Sequence, residues 1–139
     1  MAITQAMCTL FKKDVLLGDH HLDTDDIYIA LYTSSASLDA ATDGYTTSNE
    51  VSGSGYSAGG NALSSKAVTE NSTSGVFDAA DPEWTSASFT ARGALIYNNT
   101  KSNAAIAVLD FGSDFSSSNG TFQVQFPTAA HNTALIRIS

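Results

Sequence analysis

The chain has 139 residues, with six Lys and Arg against fourteen Asp and Glu, for a formal charge of -8. That length fits one domain and can bury a core without disulfides or metals, which chains below about 70 to 80 residues usually need. The basic residues Lys12, Lys13, Lys66, Arg92, Lys101 and Arg137 are scattered, so there is no basic stripe for phosphates and nucleic acid is disfavoured as a partner.

Charged residues make up only 14% of the chain, against roughly 25% in an average soluble domain. Ser, Thr, Asn, Gly and Ala fill the gap. A surface poor in Lys and Glu resembles a protein contact surface, which admits an assembly subunit alongside the plainer reading of a Ser/Thr-rich monomer. No basic segment followed by an apolar stretch opens the chain, and no run approaches the roughly 20 apolar residues of a membrane span. The expectation is synthesis in the cytosol, with no membrane partner.

In chain order, Met7, Leu10, Phe11 and Leu17, with Ile3 just before them, recur at spacings near three and four, which predicts a short amphipathic helix over 4–17 that Gly18 would stop. Residues 1–18 then form a helix or arm that packs on its own domain or on a neighbour. After a polar link over 19–26, residues 27–32 alternate Ile27, Ile29 and Leu31 against Tyr28, Ala30 and Tyr32, a strand half buried on both faces. Residues 33–60, rich in Ser, Ala, Asp, Thr and Gly, read as a long excursion with a short strand in it, ordered by a partner or by the body of the fold.

Further strands are predicted over 62–69, 75–79, 85–97 with a bend near Arg92-Gly93, 104–111, 121–126 and 134–138. In the 121–126 segment Phe122, Val124 and Phe126 alternate against Thr121, Gln123 and Gln125, and Asn119-Gly120 reads as the hairpin turn before it. The whole predicts one all-β domain: an antiparallel sandwich of about eight strands over 19–139, with the short helix in front.

Candidate chemistry is weak at every position. Cys8 is a lone cysteine in an apolar context and reads as a small buried side chain. Gly55-Tyr56-Ser57-Ala58-Gly59 fits the nucleophile-elbow pattern, and Asp110 and His131 follow in hydrolase order, yet no helix signal follows Gly59.

The link Asp19-His20-His21-Leu22-Asp23-Thr24-Asp25-Asp26 gathers carboxylates and imidazoles, but it lacks the spacing of a calcium loop. It reads as a solvated link in which Asp23 or Asp25 makes side-chain turns. Asp78, Asp81 and Glu83 beside Trp84 could sketch a glycosidase site, whereas three acids so close together more simply mark a turn. No enzyme, cofactor or metal is therefore expected. The residues best suited to contacts are Ile3, Met7, Leu10, Phe11, Tyr45, Tyr56 and Trp84.

Residues 25–34, 50–60, 90–98 and 107–112, with the Phe77-Asp78, Pro82-Glu83-Trp84 and 122–127 stretches and the closing Leu135-Ile136-Arg137-Ile138, resemble a group of small tailed-bacteriophage virion proteins over nearly the whole chain. The resemblance implies a capsid cement or decoration protein with a jelly-roll sandwich, in dimers or trimers on the outer shell and bound to the major capsid protein. The alternative within that group is a head-fibre or tail-associated module whose Tyr45, Tyr56 and Trp84 touch host glycans.

Overall fold

The computed structural model describes residues 2–130 and 133–138. It is mostly β, with strands β1 (Ala6–Met7), β2 (Ile27–Tyr32), β3 (Asn61–Ala62), β4 (Ala67–Asn71), β5 (Ser74–Asp78), β6 (Glu83–Asn98), β7 (Ala104–Gln123) and β8 (Ile136–Ile138), and one helix, α1 (Thr9–Leu16). The strands form two antiparallel sheets, ordered β1-β7-β6-β2-β3 and β4-β5-β8. Two antiparallel sheets with one short helix match the expected all-β sandwich.

One hydrophobic cluster joins the parts. Ile27, Ile29 and Leu31 of β2 and Leu95 and Ile96 of β6 meet Phe77 of β5, Ile136 of β8 and Phe11 of α1. β2 is buried except for half-buried Tyr28, and β6 is buried from Gly93 to Asn98, in the central strands of the larger sheet.

The helix is shorter than the periodicity predicts, because Ile3 to Met7 are extended. Ile3 bridges Leu38, and Ala6 and Met7 pair with Val108 and Ala107. The apolar spacing there arises from strand contacts. Gly18 does stop the helix: at φ +73 its N–H reaches the Val15 carbonyl and the Asp19 N–H reaches that of Asp14, a Schellman ending. Leu17, expected on the buried side, is exposed at this end.

The predicted 62–69 strand is split between the sheets. Asn61–Ala62 pair with β2, Ser65 turns at φ +52, and Ala67–Asn71 pair with β5. The expected hairpin at Asn119-Gly120 is instead a bulge inside one long strand. Ala87 faces Gly120 and Phe89 faces Ser117, so β7 carries an extra residue there, with Asn119 at φ +51. A left-handed Asn suits a bulge as well as a turn. The reversal lies at Asn99–Asn103, where Ser102 and Asn103 adopt φ +56 and +61.

The β6–β7 ladder thus runs from Asn98 to Glu83 and bends where expected. Between the pairs Ala91–Phe115 and Gly93–Asp110, β6 has only Arg92 while β7 has Phe111 to Asp114. Beyond the bend the ladder becomes a two-stranded arm, with Trp84, Ala87, Phe89 and Ala91 buried and Thr85, Ser88 and Thr90 exposed.

Candidate functional site

Residues 33–60 are held by the body of the fold and contain no strand of their own, only isolated bridges such as Tyr32–Glu50, Gly44–Ala104 and Ser54–Ser88. Their anchor is Glu50, around which Tyr32, Tyr45, Tyr56 and Tyr97 gather. The Tyr45 hydroxyl donates to Glu50 Oε1 at 2.7 Å, and the Tyr56 hydroxyl and the Gly59 N–H donate to Oε2 at 2.6 and 2.8 Å. Tyr56 also accepts the Leu31 N–H, Tyr97 donates to the Gly59 carbonyl and Tyr32 donates to that of Thr46. Tyr28 and Tyr45 stack on Tyr97.

Burial, reinforced by the Glu50 charge, pushes the Tyr97 hydroxyl up to about 12. Burial and the hydrogen bond to Glu50 push Tyr45 and Tyr56 higher still, and burial raises Tyr32. A carboxylate saturated by donors is a structural clamp. Sequence reasoning passed over Glu50, whose only signal is an acidic residue beside a Gly-rich run that tyrosines flank.

The acidic link holds a second buried network. Asp25 makes the expected side-chain turn, accepting the His21 N–H at 3.0 Å. Fully buried Asn98 donates to Asp25 Oδ2 at 2.8 Å, lies 3.0 Å from His20 Nδ1 and accepts the Lys101 N–H at 3.3 Å. Burial works to raise the Asp25 carboxyl, but the Asn98 amide and the His21 N–H outweigh it and hold Asp25 below its usual range.

Because the Lys101 N–H can only donate and the Asp25 carboxylate can only accept, the Asn98 amide has one orientation. His20 Nδ1 must then accept, which leaves the ring proton on Nε2, 3.5 Å from Asp14 Oδ2. A nitrogen that carries the proton has no lone pair for a metal. Among the described residues, no three His, Cys, Asp or Glu side chains converge as ligands.

The nucleophile candidates are not brought to partners. Cys8 is fully buried, and burial, with Asp43 and Asp39 nearby, pushes its thiol up to about 11. A protonated thiol at neutral pH is a poor nucleophile. Ser57 is exposed on a turn closed by the Gly60 N–H, and β3 rather than a helix follows it. Asp110 is occupied by Arg92 at 3.2 Å, the acidic partner expected of that arginine, and by the Gly112 N–H. His131 lies outside the described residues.

Asp81 accepts the Phe126 N–H, the side-chain amide of Gln123 reaches Glu83, and Trp84 is buried against Tyr56 and Phe122. These acids flank packed strands and do not face each other across a cleft.

Of the contact candidates, Ile3, Phe11 and Trp84 are buried within the chain, and Met7, Leu10, Tyr45 and Tyr56 are half-buried. Leu10 borders a shallow depression with Thr9 and Lys13. An open groove of about 600 Å³ lies beside β7, lined among others by Phe111, Phe115, Phe126 and Leu135. Only Asp110 carries charge among its lining residues.

No family model matches the chain, and no curated protein or solved structure matches it either. Among the described residues, no helix is long and apolar enough to cross a membrane.

Proposed function

We propose that this chain is a structural protein of a bacteriophage particle, a capsid cement or decoration protein that binds the outer shell through the major capsid protein. The observation that carries the reading is the outer face of the β6–β7 arm, where Thr85, Ser88, Thr90, Ser116, Ser118 and Thr121 are exposed and uncharged. Thr90 and Ser116 are hydrogen-bonded across the strands at 2.6 Å. Short hydroxyl side chains on a paired backbone lose little rotamer freedom on contact. Uncharged groups also avoid the desolvation cost that buried ions incur. Such a face suits a broad protein contact better than capture of a small molecule.

The likeness to small virion proteins gives that contact its setting. DNA in a head presses outward, and a bridge across capsomers adds buried area that opposes their separation. Each bridge can be weak, because in a fixed lattice its neighbours bind at high effective concentration. The glycan-binding alternative gains no support, since Trp84 is buried and Tyr45 and Tyr56 are committed to Glu50.

The test compares particles assembled with and without the protein. Particles without it should release DNA at lower temperature, and adding the purified chain back should restore retention. Equal release temperatures would remove the cement reading. Copies per particle then separate shell from vertex: a number that scales with the capsid lattice supports cement, and a few copies at one vertex overturns it.

A further inference from the structure

We infer that the outer edge of β7 is the contact between two copies of this chain. The inference rests on the proposed reading only in so far as an oligomer is part of it; the edge itself is argued from pairing and charge. On one side β7 is paired along its length with β6, while on the other β1 covers only Ala107 and Val108. Among the described residues, no strand pairs with the outer side of Phe115 to Gln123.

The groove described above runs along this side. It is lined by the consecutive residues Phe115 to Ser117 and Thr121 to Val124. Successive side chains on a strand point to opposite faces, so a groove that touches consecutive residues meets the strand edge-on. An extended segment entering it would find backbone donors and acceptors beneath it and aromatic walls beside it.

The distribution of charge names the occupant. All fourteen acidic residues lie at or before Asp114, and from Phe115 to Phe126 the chain has no charge at all. Of the acids that border the strand, Asp110 pairs with Arg92, Asp81 accepts the Phe126 N–H and Glu83 accepts from Gln123, while Asp114 stands exposed just before Phe115, at the end of the edge.

Two copies at -8 each repel, and the repulsion is least where this acid-free edge meets its own duplicate. Natural edge strands are usually guarded by charges or prolines. This stretch has neither, and Phe115 is 50% exposed in it. An antiparallel edge is also self-complementary under a twofold axis, each copy supplying the same groups to the other.

Sedimentation velocity of the full chain over a concentration series, at low and high salt, tests this with Phe115→Asp and Thr121→Asp. Both side chains are exposed, and circular dichroism confirms that the variants fold. Wild type should dimerise with rising concentration, more readily in high salt as repulsion is screened. Each aspartate should weaken the dimer by roughly tenfold or more, because the contact must then bury a carboxylate from each copy with no cation to pair it.

Mixing Phe115→Asp with Phe115→Lys should restore association. A chain that stays monomeric throughout, or a dimer indifferent to both substitutions, overturns the inference. These measurements need no particle. A failed DNA-retention test would remove the cement reading and leave this contact standing, and the reverse outcome is equally distinguishable.

Discussion

Replacing Glu50 with alanine should destabilise the protein by about 3 to 4 kcal/mol. A hydrogen bond to a charged group contributes about 1.5 to 3 kcal/mol, and this carboxylate accepts three, from Tyr45, Tyr56 and the Gly59 N–H. The site is half-buried. Water can therefore reach part of what is left, which brings the loss somewhat below the roughly 4.5 kcal/mol that three bonds at the low end of that range would give.

Glu50→Gln discriminates further. Its oxygen can face Tyr56 and Gly59 while its amide donates to the Tyr45 oxygen, so the geometry survives and only the charge assistance is lost, about 1 kcal/mol. Urea unfolding followed by the fluorescence of Trp84, the sole tryptophan, reads both variants, since its ring lies 6.2 Å from that of Tyr56. The alanine variant should melt on the order of 10 °C lower. A Glu50→Ala protein within about 0.5 kcal/mol of wild type, the range of an ordinary surface change, would refute the idea that this carboxylate clamps residues 33–60.

Gly60 sits at φ +78 with the Ile29 carbonyl where a Cβ would stand, so Gly60→Ala should cost about 3 kcal/mol or more. Gly18→Ala, at φ +73 with open space around it, should cost about 1 kcal/mol; equal losses in a paired thermal melt would sink the close-approach argument. Asn98→Ala strands Asp25 and His20 in a buried place and should cost about 2 to 4 kcal/mol. Because Asp25 is held below its usual range, its contribution is present above pH ~4 and fades as pH falls through the lowered value. The variant should therefore lose less stability on acidification than wild type, and parallel urea midpoints from neutral pH down to ~3 would contradict this. Tyr32, Tyr45, Tyr56 and Tyr97 are all raised, so their contribution is intact below pH ~10 and lost as pH climbs beyond it. Phenolate absorbance should rise together with unfolding; more than one tyrosine titrating near pH ~10 with the fold intact would count against the cluster.

Periodicity makes β2 and β6 legible, because each alternates over enough residues to outweigh local noise, and Arg92-Gly93 marks the bend. It misleads at Ile3 to Met7, where a parallel bridge to Leu38 and pairing with Ala107 and Val108 place apolar residues at helix-like intervals. It also misleads at Asn119, since one left-handed residue serves a turn and a bulge alike and only the partner strand decides between them. Residues 33–60 look featureless because the Tyr45, Tyr56 and Gly59 bonds to Glu50, though local, carry no periodicity, while the Tyr32 and Tyr97 bonds that tie the segment to the body come from outside it. The uncovered side of β7 is equally hidden, because a strand's neighbours are a property of topology, while the absence of acids beyond Asp114 can be read directly from the chain.

Pairing of Ala6 and Met7 with Val108 and Ala107 also sets an order of events in time. The β6–β7 ladder closes through the short reversal at Asn99–Asn103 and has little loop entropy to overcome, whereas β1 must find a partner about a hundred positions further along. A chain emerging from the ribosome N-terminus first carries residues 6–7 unpaired until β7 has been made. Of the strands described, β1 precedes the others in the chain and is thus among the last to be secured, and until then the edge at Ala107 and Val108 lacks its partner.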